Sequence, residues 1–68
     1  MTPPALINAR DVARTLSIGV RHLYQMLAAG LVGPQPIRLG RSIRWRSDEI
    51  NDWVRAGCPS RAKWEAKR

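Results

Sequence analysis

The apolar positions change rhythm along the chain, and each rhythm predicts an element. Val12, Ala13 and Leu16 recur at helical spacing after Asn8, a residue favoured at helix starts because its side chain accepts an orphan backbone N–H. Asp11, three residues on, completes a weak capping box and suits the positive end of the helix dipole. Ile7 and Val12 have the spacing of a hydrophobic staple. A first helix is predicted over about 9–16. Ser17-Ile18-Gly19 interrupts it, and a second helix follows over about 20–29, with Leu23, Met26 and Leu27 on one face and Arg21, Gln25 and Ala28 opposite. Gly30 reads as the left-handed residue that ends it, with Leu31 placed to touch Met26.

The next stretch is a loop, since Pro34 and Pro36 exclude helix. Ile37-Arg38-Leu39 and Ile43-Arg44-Trp45-Arg46 then alternate on either side of the turn Gly40-Arg41-Ser42. This predicts a β-hairpin with Ile37, Leu39, Ile43 and Trp45 on one face and Arg38, Arg44 and Arg46 on the other. Ser47 is the expected cap of a third helix over about 48–56. Its buried stripe is Ile50, Trp53 and Val54, and Gly57 and Pro59 stop it. From Ser60 the chain is polar and basic, a frayed helix or disordered, with Trp64 expected to fold back. Residues 1–5 read as a disordered lead, 6–57 as the domain and 58–68 as a basic C-terminal tail.

Charge adds direction to this outline. The 68 residues carry twelve Lys and Arg against five Asp and Glu, a net charge of +7. The excess concentrates in the second half, and no acid interrupts the run from Arg38 to Arg46. One cysteine excludes disulfide staples, and one Cys with one His is too few ligands for tetrahedral zinc. No membrane span and no secretory signal is legible. No paired carboxylates, phosphate loop or triad suggest catalysis, so neither catalytic residues, metal nor cofactor is expected. A small, basic, cytoplasmic protein of this kind binds a polyanion.

Two helices joined by a short break form a helix-turn-helix candidate, with Ala13 small at the crossing and Ser17 small in the turn. The second helix of that motif enters the DNA major groove. Arg21 suits guanine O6 and N7, and Gln25 suits adenine N6 and N7. A ribbon and a third helix after the pair make the order α-α-β-β-α: mainly α with a small β-hairpin, a winged helix-turn-helix. Arg41 at the ribbon tip suits phosphate or a narrow minor groove. This reading requires Arg21 and Arg41 to project from one side. His22 reads as an exposed helix residue, Cys58 as a bystander thiol, and Trp45 and Trp53 as core.

Leu6 to Ala13, Leu16-Ser17-Ile18, Leu23-Tyr24, Gly30, Pro34 to Trp45, and Ile50 to Trp53 resemble the excisionase/AlpA family. These are small MerR-like winged-helix proteins of phages, prophages and integrative elements. The likeness covers about residues 6–57, and Pro34 to Trp45 is its most specific part. It implies double-stranded DNA binding, in transcription regulation or as a recombination directionality factor. It places Gly19, Val20, Arg21, Tyr24 and Gln25 at the recognition helix and Arg38, Arg41, Ser42 and Arg44 on the wing. It also implies an integrase or recombinase as a second partner. So small a surface gives a single module modest specificity, and a monomer in solution or a cooperative oligomer on DNA is expected. Gly19 stands where the family usually has Ser or Thr, Thr15 replaces a usual Leu, and the Gly30–Gly40 segment is about one residue longer. The alternatives are a basic RNA-binding module, and an integrase-binding adaptor that uses Trp64 and the tail.

Overall fold

The computed structural model describes residues 5–66. Of the lead expected over residues 1–5, all but Ala5 lie outside the described residues. The elements run β1 (Leu6–Ile7), α1 (Ala9–Leu16), α2 (Val20–Ala28), β2 (Ile37–Leu39), β3 (Ser42–Arg46), α3 (Ser47–Arg55) and α4 (Arg61–Ala66). This is a winged helix-turn-helix, with β1 and α4 added to the expected order.

Asn8 starts α1 through a complete capping box. Asn8 Oδ1 accepts the Asp11 N–H at 2.8 Å, and Asp11 Oδ2 accepts the Asn8 N–H at 3.4 Å. Three helices then end by one device. A residue in the left-handed region turns the chain, and the next N–H reaches back five residues. Ser17 (φ 58°) lets Ile18 donate to the Ala13 carbonyl, Gly30 (φ 74°) lets Leu31 donate to Met26, and Gly57 (φ 89°) lets Cys58 donate to Trp53. The link between Leu31 and Met26 is thus made by backbone; the Leu31 side chain is exposed.

Ser17 is the costly member of that set, because a Cβ in the left-handed region costs about 1–2 kcal/mol. Ser17→Gly is expected to stabilise the fold by about 0.5–1 kcal/mol, after glycine's extra freedom in the unfolded chain is counted. A rise of a few degrees in the thermal midpoint, followed by circular dichroism, checks it.

The sheet has the order β1-β3-β2, antiparallel throughout. β1 was not expected; two residues are too short to show alternation. The hairpin register corrects the expected faces. A three-residue turn would set Leu39 against Ile43. The observed turn is two residues, with positive φ on Gly40 alone, and it pairs Leu39 with Ser42, Arg38 with Ile43 and Ile37 with Arg44. Directly paired residues share a face, so Ile37 and Leu39 share theirs with Ser42 and Arg44. The one-residue slip moves them off the Trp45 face, and Leu39 is 51 % exposed.

Two further expectations are corrected at α3. Arg46, with no side-chain capping bond, occupies the N-cap position. Ser47 is instead the first helical residue, buried, and its N–H donates to the Ala5 carbonyl at 3.0 Å. That bond ties the start of α3 to the residue before β1. Val54 is exposed, and the buried residues of α3 are Ser47, Ile50 and Trp53.

The core is Val12, Ala13, Leu23, Val32, Trp45, Ile50 and Trp53, with Ala9 and Trp64 at its margin. Both central indoles are satisfied: Trp45 Nε1 donates to the Pro34 carbonyl at 3.2 Å and Trp53 Nε1 to the Pro59 carbonyl at 2.8 Å. The segment from Arg61 to Ala66 is helical and folds back, with Trp64 only 9 % exposed. Arg61 fastens α4 to the end of α2. Its N–H donates to the Gly30 carbonyl and its Nη2 to the Leu27 carbonyl. Glu65 accepts from Gln35 Nε2 at 3.0 Å. Tertiary contact, more than local pattern, makes this short helix.

Candidate nucleic-acid interface

The ladder between β1 and β3 stops at Trp45. Past that point the chain leaves β1 through Asn8 and enters α1, while β3 runs beside β2 alone toward the hairpin tip. A cleft of about 460 Å³ opens there. One wall is the hairpin, with Arg41, Ser42, Ile43 and Arg44. The other is the start of α1, with Asn8, Ala9 and Arg10, and one side of α2, with half-buried Val20 and exposed Tyr24. Val20 and Tyr24 are four residues apart and therefore neighbours on one helix face.

Three arginines line the cleft and no carboxylate does. The nearest acid in the sequence, Asp11, closes the capping box on Asn8 and lies 3.8 Å from Arg14. The first residues of α1 and α2 also stand on this wall; the capping box closes the start of α1, so it is the start of α2 that adds to the arginine field. The first turn of α2 contains no acid, and Gly19 gives it no side-chain cap. An anion in this cleft therefore meets guanidinium groups and the start of α2, with no carboxylate among the lining residues. Arg44 is drawn toward the strand, since its Nη1 donates to the Ile43 carbonyl at 2.7 Å. Tyr24 keeps 45 % of its surface exposed and is the exposed aromatic of this wall.

Of the residues singled out from sequence, the fold brings Val20, Tyr24, Arg41, Ser42 and Arg44 together. Arg21 and Gln25 lie one residue on from Val20 and Tyr24, on the adjacent, exposed ridge of α2 and outside the cleft lining. Gly19 precedes the helix at its open end. Arg38 is exposed on β2, across from Ile43, and does not line the cleft. Arg46 leaves the cationic group altogether, because its Nη1 lies 3.3 Å from Glu49 Oε1. Sequence reasoning missed Arg10. Asn8 marks the helix start, so Arg10 falls on the first, solvent-facing turn; nothing local says which neighbour it faces.

Residues 6–58 match the family described as Helix-turn-helix domain. The chain belongs to the helix-turn-helix domain family. The match spans β1 through the left-handed end of α3 and stops short of α4. No curated protein and no solved structure matches significantly. Membership in the helix-turn-helix family indicates DNA as the partner. No helix among the described residues is long and apolar enough to cross a membrane.

Proposed function

We propose that this chain is a sequence-specific double-stranded DNA-binding protein of the excisionase/AlpA type. It acts without catalysis, as a transcriptional regulator or a recombination directionality factor of a mobile element. The observation that carries the DNA reading is the cleft itself, with Arg10, Arg41 and Arg44 around one opening and no acid among its lining residues. A phosphate run passing between the hairpin and the starts of α1 and α2 meets all three. α2 then lies along the major groove, with Arg21 and Gln25 toward base edges and Tyr24 at the backbone. The narrower assignment rests on the likeness of Leu6–Ala13, Pro34–Trp45 and Ile50–Trp53 to the excisionase/AlpA pattern.

The RNA alternative needs several exposed aromatics for stacking, yet Trp45, Trp53 and Trp64 are all buried, which leaves Tyr24 alone. The adaptor alternative relied on Trp64, whose ring faces Gly33 and Trp53 rather than solvent.

Salt tests the reading. Affinity for duplex DNA, measured by fluorescence anisotropy, is expected to fall with log[salt] at a slope of roughly −0.9 per phosphate, or about −2.7 for three arginines. Single-stranded RNA is expected to compete poorly. A flat salt dependence, or RNA displacing duplex at equal concentration, would overturn it.

A further inference from the structure

His22 and Cys58 have no partner in the sequence, being 36 positions apart. The fold brings both to the walls of one cleft of about 330 Å³, on a different side of α2 from the arginines. Val20 and His22 are two residues apart, about 200° around the helix, so the two clefts use different faces of it. The remaining lining is Leu16, Ile18, Met26 and Trp53. Three of these six residues carry donor atoms for a metal: an imidazole nitrogen, a thioether sulfur and a thiol sulfur.

Backbone brings the three positions to one cleft. His22 and Met26 are four apart on α2, which sets their side chains next to one another. Cys58 comes from the end of α3 and holds a left-handed conformation, φ 55°, that a non-glycine residue adopts at a cost. It is pinned there by its N–H, which donates to the Trp53 carbonyl at 3.0 Å. Trp53 in turn is anchored to the Pro59 carbonyl. The thiol is exposed and is not in a disulfide.

The donor set selects the metal. Among the described residues no group of three His, Cys, Asp or Glu is placed to hold an ion, so the set that suits zinc is missing here. The third donor is a thioether, and no carboxylate lines the cleft. Thiolate, thioether and imidazole in an apolar recess favour a soft monovalent ion over a hard divalent one. We propose that His22, Met26 and Cys58 form a three-coordinate site for Cu(I). Binding takes the thiol proton from Cys58 and releases it to solvent, and the copper stays in its +1 state. The loaded site ties α2 to the end of α3. This site does not depend on the DNA reading, since it shares none of the residues that line the arginine cleft.

The test uses the full chain under nitrogen, titrated with Cu(I) held as its bicinchoninate complex, whose colour reports loss of the ion. One ion per chain is expected, with one proton released and a higher thermal midpoint, because binding favours the folded state. Cys58→Ser, His22→Ala and the volume-conserving Met26→Leu are each expected to weaken binding at least about tenfold, the loss that even outer-shell changes cause at metal sites. Circular dichroism verifies that each variant is folded; His22 is exposed, so its replacement leaves the core intact. Wild-type affinity in either His22→Ala or Met26→Leu would remove that ligand from the set and overturn the three-coordinate proposal. So would one ion holding two chains in size-exclusion chromatography, or an unchanged thermal midpoint on loading.

Discussion

Gly33→Ala is expected to destabilise the protein by about 3 kcal/mol, the upper end of the usual range for overpacking a filled core. A Cβ built on Gly33 meets Trp53 Nε1 at 2.7 Å, Trp64 Cγ at 2.7 Å and Trp53 Cδ1 at 2.8 Å. Both rings are rigid and buried, and Trp53 is tied to Pro59 as well, so neither yields by a small rotation. Trp64 is the weaker of the two, because α4 is short and sits at the margin of the core. The clash therefore levers α4 off the domain. Chains of this size have about 0.05–0.15 kcal/mol of stability per residue, so such a loss removes a large part of the total. Urea unfolding reads it as a lower midpoint. Gly30→Ala provides the comparison: nothing lies within 4 Å of its Cβ, and its φ of +74° carries only the left-handed cost of about 1–2 kcal/mol. If Gly33→Ala cost no more than Gly30→Ala, the packing of the two indoles over this glycine would be refuted. Adding Trp64→Ala to Gly33→Ala should cost less than the sum of the two single changes, since the clash with that ring is already gone.

The second large effect concerns charge. On the proposed DNA reading, Arg10→Ala and Arg41→Ala each weaken duplex binding by about 1.5 kcal/mol, roughly tenfold, the worth of a hydrogen bond to a charged group. The double variant weakens it about a hundredfold and makes the salt slope shallower by about 1.8, two phosphates at roughly 0.9 each. Arg46→Ala should leave binding within a factor of two, because Glu49 already neutralises that side chain. Arg21→Ala behaves differently again. It relaxes preference at one base position by about 1–3 kcal/mol while other positions keep theirs. A set of duplexes with single base changes, titrated at two salt concentrations, separates the classes. Equal effects of Arg46→Ala and Arg41→Ala would mean that net charge alone, and not the cleft, binds DNA.

The contrast between Arg46 and Arg10 shows where sequence runs out. Arg38, Arg41, Arg44 and Arg46 form an acid-free run in the sequence, yet Glu49 lies three residues beyond it and pairs with Arg46 across the start of α3. Arg10 stands beside Asp11, and that proximity disguises it, because Asp11 is committed to the Asn8 cap. Counting charges along the chain therefore includes two arginines too many, Arg38 and Arg46, and omits Arg10.

Features that depend on a few neighbouring residues were written in the sequence. The Asn8 cap, the helical spacing of Val12, Ala13 and Leu16, the stop at Gly30 and the ribbon around Gly40 all appear where the residues predict them, since each is a bargain struck within about five positions. What the tertiary structure decided was everything that depends on distance or on a single residue of register. The two-residue turn set Leu39 against Ser42 and reversed the face of β2; β1 exists because β3 offers an edge; α4 is helical because Trp64 has Gly33 to lie on. The arginine cleft and the convergence of His22, Met26 and Cys58 belong to the same class. Side chains tens of positions apart meet only after the core has fixed the helices, and no local propensity records that meeting.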